Sequence, residues 1–140
     1  MPSRVLKPSS LFHALLVCGA VLYGSGAAAA ELAQQSSEAG GLTISVKPAD
    51  VAPTAATWLF QVGMNTHSVE LSDDLQRTAT LVDAAGKEQP ALGWKGDPPG
   101  GHHRSGELRF KALSPRPQAL ELRIARPGEN APRVFRWKLN

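Results

Sequence analysis

From residue 42 onward the chain repeats one short pattern, apolar residues at every second position followed by a turn, and this restricts the folds open to it more than any other feature. Leu42, Ile44 and Val46 alternate with Thr43, Ser45 and Lys47; Trp58, Phe60 and Val62 form the next row, followed by Val69 and Leu71, Ala79 and Leu81, and Leu92 and Trp94. Leu108 and Phe110, then Leu120, Leu122 and Ile124, and finally Phe135, Trp137 and Leu139 complete the set. Successive side chains of a strand point to opposite faces, so each run reads as a strand with one buried face. No segment carries the wider spacing of an amphipathic helix. Pro48 is expected to stop the first strand, Ser72-Asp73-Asp74-Leu75 to form a capped helical turn, and Asp83-Ala84-Ala85-Gly86 to form a hairpin turn. Seven or eight short strands, with turn signals about every 8–12 residues, predict an all-β, immunoglobulin-like antiparallel β-sandwich over residues 42–140. The tryptophans and Phe60, Phe110 and Phe135 all lie in strand patterns, so they read as core packing, not as a platform for stacking sugars.

The residues before this pattern read differently. Arg4 and Lys7 precede an apolar stretch from Leu11 to Leu22, shorter than the roughly 20 residues that cross a bilayer, and Ala28-x-Ala30 follows as a small-residue cleavage pattern. Residues 1–30 are therefore expected to be a signal peptide cleaved near Ala30, which places the mature chain in the periplasm or outside the cell. Leu15-Leu16-Val17-Cys18 loosely matches a lipobox, but Val17 is large where a small residue belongs, so acylation of Cys18 is the lesser reading. Residues 31–41, polar and aperiodic, read as a flexible linker.

Charge changes meaning once the leader is removed. The 140-residue chain carries net charge +3 and one cysteine, but the leader holds two of the basic residues, none of the acidic ones, and Cys18. Thirteen basic and twelve acidic residues remain, with no cysteine, which excludes a disulfide framework and leaves little case for a nucleic-acid binder. The balance is uneven along the chain: residues 31–100 hold four basic and nine acidic residues, residues 101–140 nine basic and three acidic. Arg109, Lys111, Arg123, Arg136 and Lys138 occupy outward strand positions. They make either a solvated face neutralised by acidic neighbours on adjacent strands or a basic face for an anionic envelope component: lipid headgroups, a cell-wall polymer or an acidic protein.

The densest chemistry lies between strands. Pro98-Pro99-Gly100-Gly101-His102-His103-Arg104-Ser105-Gly106 combines rigid prolines, permissive glycines, two imidazoles and a guanidinium, and His67 sits in a second turn, Asn65-Thr66-His67-Ser68. Three histidines with Asp74, or with Asp73 or Asp97, would suit copper, zinc or nickel, whose borderline character favours imidazole. The plainer reading leaves the histidines as loop residues and pairs Arg104 with an acidic side chain. Ser68, His67 and Asp73 contain the residue types of a catalytic triad, but no nucleophile elbow or oxyanion-hole pattern accompanies them, so no enzyme is expected.

The same residues carry a resemblance. Trp58, Thr66-His67-Ser68, Asp74-Leu75, Pro90 with Trp94 and Gly96, Pro98 to Arg104, and Gly106, Leu108 and Phe110 are similar to the shared core of a group of uncharacterised exported prokaryotic β-sandwich domains. The resemblance spans most of the mature chain and implies a common fold and a common site, with no reaction attached. Asn65 stands where the group's pattern has aspartate, which weakens a histidine–carboxylate site at that turn. The functional expectation is an exported, non-catalytic periplasmic module holding copper or zinc through His67, His102, His103 and Asp74. The alternative is an envelope interaction domain that docks a partner through the proline-glycine loop and Arg104, Arg123 and Arg136, without metal.

Overall fold

Alternation becomes burial strand by strand. In the computed structural model, which describes residues 32–139, Leu42, Ile44 and Val46 are fully buried while Thr43, Ser45 and Lys47 between them are partly exposed. The signal peptide expected over residues 1–30, with Cys18 and the cleavage site at Ala30, lies outside the described residues. Among the described residues nine strands form, β1 (Gln35–Ala39), β2 (Leu42–Asp50), β3 (Thr57–Thr66), β4 (Ala79–Val82), β5 (Glu88–Pro90), β6 (Gly93–Gly96), β7 (His103–Lys111), β8 (Ala119–Ile124) and β9 (Arg133–Lys138), with one helical turn, α1 (Leu75–Thr78). They make a five-stranded sheet, ordered β1-β2-β3-β7-β6, and a four-stranded sheet, ordered β5-β4-β8-β9. All the pairings are antiparallel, so the expected β-sandwich is the observed architecture.

The inner faces meet in an aromatic core. Phe60 and Phe110, on neighbouring strands, pack edge to face with ring centroids 5.6 Å apart, and Phe60 reaches across to Trp137 of the other sheet at 6.2 Å. Trp58 and Trp137 are buried, and each spends its indole N–H on a backbone carbonyl, of Ala52 and Ala33 respectively. Those bonds satisfy the polar edge that burial would otherwise leave unpaired.

Four local expectations need correction. Within the expected linker of residues 31–41, Gln35–Ala39 forms β1, paired with β2 from Gln35↔Val46 to Ala39↔Leu42. Its hydrogen bonds come from the ladder and from distant side chains, so its polar composition did not decide its order. The turn between β1 and β2 is made by Gly40 and Gly41, whose positive φ of 55° and 75° suits a tight hairpin. Pro48 does not stop β2: it pairs with Phe60, and the pairing of β2 with β1 has already ended at Val46, so the missing N–H falls where the strand has lost one neighbour. Val69 and Leu71 lie outside any strand, although Leu71 is buried, and Leu92 is 54% exposed at the crossing from β5 to β6.

One side of the sandwich is closed by side chains rather than by a ladder. Arg133, on β9, donates to the carbonyls of Ser37, Ala39 and Leu42 at 2.8–2.9 Å. Gln35 accepts from the backbone N–H of Arg136 at 3.0 Å and donates its amide to the carbonyl of the same residue.

Candidate functional site

The two histidine-bearing segments do meet. Asn65 at the end of β3 pairs with His103 at the start of β7, and the N–H of Thr66 donates to the carbonyl of His102 at 3.0 Å. Thr66 shapes the turn that follows: its hydroxyl donates to the Gly41 carbonyl at 2.8 Å and accepts from the N–H groups of Ser68 and Val69. His67, His102 and His103 are all exposed at this end of the sandwich. Asn65 orients His103 rather than His67, its Oδ1 accepting from the ring Nδ1 at 2.5 Å.

The carboxylates expected to join the histidines are committed elsewhere. Asp74 caps α1, accepting from the N–H of Arg77 and pairing with its guanidinium at 3.5 Å. Asp73 is buried and accepts two bonds from Arg126, at 2.8 and 3.1 Å. Asp97 turns its Oδ2 to the backbone N–H and the hydroxyl of Ser105. Among the described residues no group of three or more His, Cys, Asp or Glu side chains is arranged to hold a metal ion. Among the described residues the structure thus assembles no metal-holding group from His67, His102, His103 and Asp74, and Asp74 spends its carboxylate on the α1 cap and on Arg77.

Arg104 is not a docking residue. It is 3% exposed and donates to the carbonyls of Asp73 at 2.7 Å, Leu71 at 3.3 Å and Asp97 at 3.4 Å, with its guanidinium 5.7 Å from the centre of the Trp94 ring. Trp94 in turn lies on Gly96 and Gly106: a Cβ on Gly106 would come 2.6 Å from the indole, and one on Gly96 would come 2.4 Å from the Gly106 Cα. The tryptophan, the two glycines and the arginine of the motif thus form one packing unit. The Gly100 N–H, bonded to the Leu71 carbonyl at 2.9 Å, fastens the proline-glycine loop to the same segment.

A buried charge chain continues from there. Asp73 pairs with Arg126, Arg126 lies 3.6 Å from Glu129, and Glu129 pairs with Arg133 at 2.7 Å. The hydrogen bond from Arg133 holds the Glu129 carboxyl below its usual value despite partial burial, and the bond to Asp73 raises Arg126. These residues tie the five-stranded sheet to the four-stranded one at the histidine end.

The basic strand positions divide by sheet. On the four-stranded sheet, Glu121 faces Arg136 across β8 and β9 and accepts from its Nε at 2.6 Å, while Arg123 bonds both Glu121 at 2.6 Å and Glu88 at 2.8 Å. Bonds from Arg136 and then Arg123 lower the Glu121 carboxyl, and Glu88 and Glu121 raise Arg123. Arg123 and Arg136, expected as interaction residues, are neutralised by acidic neighbours instead. On the five-stranded sheet, Lys95, Arg109 and Lys111 are exposed and have no ion-pair partner among the described residues. Arg109 and Lys111 share the outward parity of β7 with Glu107, and Lys95 lies opposite Glu107 on β6. Lys95 was missed in the sequence because it sits at the rim of the long loop, and only the pairing of β6 with β7 puts it on this face.

No protein-family profile and no curated protein sequence matches the chain. Among solved structures, it is similar to a DUF4426 family protein from Pseudomonas aeruginosa PAO1, with 14% identity, a TM-score of 0.44, and coverage of 75% of this chain and 96% of that one.

Proposed function

We propose that the protein is an exported, non-catalytic β-sandwich module of the periplasm that docks an anionic component of the cell envelope on the outer face of its five-stranded sheet. The observation behind this reading is the division among the basic residues. Arg123 and Arg136 spend their charge on Glu121 and Glu88, whereas Lys95, Arg109 and Lys111 direct theirs to solvent. An unpaired surface cation meets an anionic partner without first breaking an internal ion pair, so its attraction is not offset by that loss. Arg104 and the glycine-histidine loop have a supporting part: they hold β6 against β7 and so keep Lys95 beside Arg109 and Lys111.

Salt elution from immobilised dextran sulfate tests this reading with a matched pair of single variants. Arg109→Glu is expected to elute at clearly lower salt than the wild type, and Arg136→Glu, which changes net charge equally, much closer to it. Equal elution of the two variants would sink the assignment of this face.

A further inference from the structure

We infer that β1 is an exchangeable strand: the seat between β2 and β9 accepts the β1 of a second copy of this chain, whose own seat accepts the first copy's in return. The strand is bound in a way that suits transfer. None of its five residues is buried, and of the residues just ahead of it Leu32 alone packs against the core, itself partly exposed. Lifting the strand out therefore exposes little apolar surface of its own. What holds it is polar and directional. Beside the ladder to β2, Arg133 and Trp137 of β9 donate to the carbonyls of Ser37, Ala39 and Ala33, and the Gln35 amide exchanges two bonds with the backbone of Arg136. The β1 of a second copy brings the same carbonyls and the same glutamine at the same spacing, and so satisfies every one of these groups. An unrelated strand offers the carbonyls but not the glutamine.

The hinge for such an exchange is the turn of Gly40 and Gly41, the two residues that join β1 to β2. Glycine passes from the left-handed conformation of this turn to an extended one without the steric penalty that other residues meet. Opening the turn sends β1 outward in line with β2, towards a neighbouring molecule. A Cβ on Gly40 would meet no atom within 4 Å, so packing does not call for glycine there; the backbone conformation does. The closed monomer and the exchanged dimer make the same contacts at the seat and differ at the hinge, which leaves protein concentration to set the balance between them.

Disulfide trapping tests the exchange, using protein purified in its exported form with the leader and Cys18 removed. One chain carries Ser36→Cys and the other Ser45→Cys, at positions that face each other across β1 and β2. The two are mixed in equal amounts at roughly millimolar concentration, warmed below the unfolding midpoint, cooled and oxidised. Exchange sets the two thiols opposite each other only between different chains. The mixture is therefore expected to give about tenfold more linked dimer than either variant oxidised alone. Gly40→Ala in both chains strains the closed turn and is expected to raise the yield of linked dimer by roughly tenfold. A single chain carrying both Ser36→Cys and Ser45→Cys, oxidised while dilute, has its β1 locked in place and is expected to stay monomeric by light scattering at concentrations where the wild type dimerises. Equal yields from the mixture and from the separate variants, a yield that Gly40→Ala leaves unchanged, or a dimer that forms in spite of the locked strand would each overturn the inference.

Discussion

Trp94, Gly96, Arg104 and Gly106 belong to the motifs that carry the sequence resemblance, and the structure gives them a mechanical explanation. The indole needs a flat bed, and two facing glycines provide it, with the Arg104 guanidinium near the ring. A methyl group at either glycine meets backbone atoms of the facing strand, at 2.4 Å from Gly96 and 2.7 Å from Gly106, so the strands themselves must move. Gly96→Ala or Gly106→Ala is expected to lower unfolding free energy by about 1–3 kcal/mol, measured by urea denaturation. Gly63→Ala is the contrasting control: its added carbon meets only the Ser45 hydroxyl, at 2.8 Å, and that side chain can rotate aside. The residue types of this unit were legible in the sequence, but their role was not. Only the register that sets Gly96 opposite Gly106 turns two unremarkable glycines into a seat for an indole. The histidines show the converse. Their meeting at one end of the sandwich followed from strand order, but the fate of each carboxylate depended on local caps and pairs that spacing does not encode.

The element that best shows both the reach and the limit of alternation is β8. Its pattern correctly turned Leu120, Leu122 and Ile124 inward and Glu121 and Arg123 outward. Which strands flank it was not written in that pattern. Because β9 and β4 are its neighbours, Arg136 arrives opposite Glu121, and Arg123 reaches Glu88 on β5. The pairing also fixes a pH response. Arg136 and Arg123 hold Glu121, and Arg133 holds Glu129, below the ordinary value of 4.5 in the folded protein, to which both return when it unfolds. The stabilisation is therefore fully present above that ordinary value and is lost as pH falls through the lower folded values. Urea midpoints are expected to stay level from neutral pH down to about pH 5 and to fall below it. Glu121→Gln should start lower at neutral pH and decline less steeply, and identical profiles for variant and wild type would refute the assignment.

On the scale of the whole molecule, the polar chain from Asp73 through Arg126 and Glu129 to Arg133 joins the loop region around α1 to the hairpin of β1 and β2. Arg133 is 5% exposed and serves three carbonyls and a carboxylate, so Arg133→Met strips Glu129 of its closest partner and removes its bonds to the three carbonyls. A loss of about 3 kcal/mol is expected in urea denaturation, a large part of the roughly 5–15 kcal/mol that holds a domain together. Removing residues 32–39 should cost stability too, read as a lower thermal midpoint, because it uncovers the β2 edge and withdraws the carbonyls of Ser37 and Ala39. A dispensable tether would leave that midpoint unchanged. The composition of this segment gave no sign of the ties to β9, since Arg133, Arg136 and Trp137 lie 94–104 positions away in the chain.

That separation has a consequence for how the protein is made. The bonds between Gln35 and Arg136 and from the Trp137 indole to the Ala33 carbonyl span 101 and 104 positions, so the segment that pairs with β2 on one side is tied to β9 on the other. A chain emerging amino-terminus first from a ribosome can pair β1 with β2 early but cannot clasp that hairpin to β9 until β9 is released. The clasp between the two therefore closes only after every strand between them has been made.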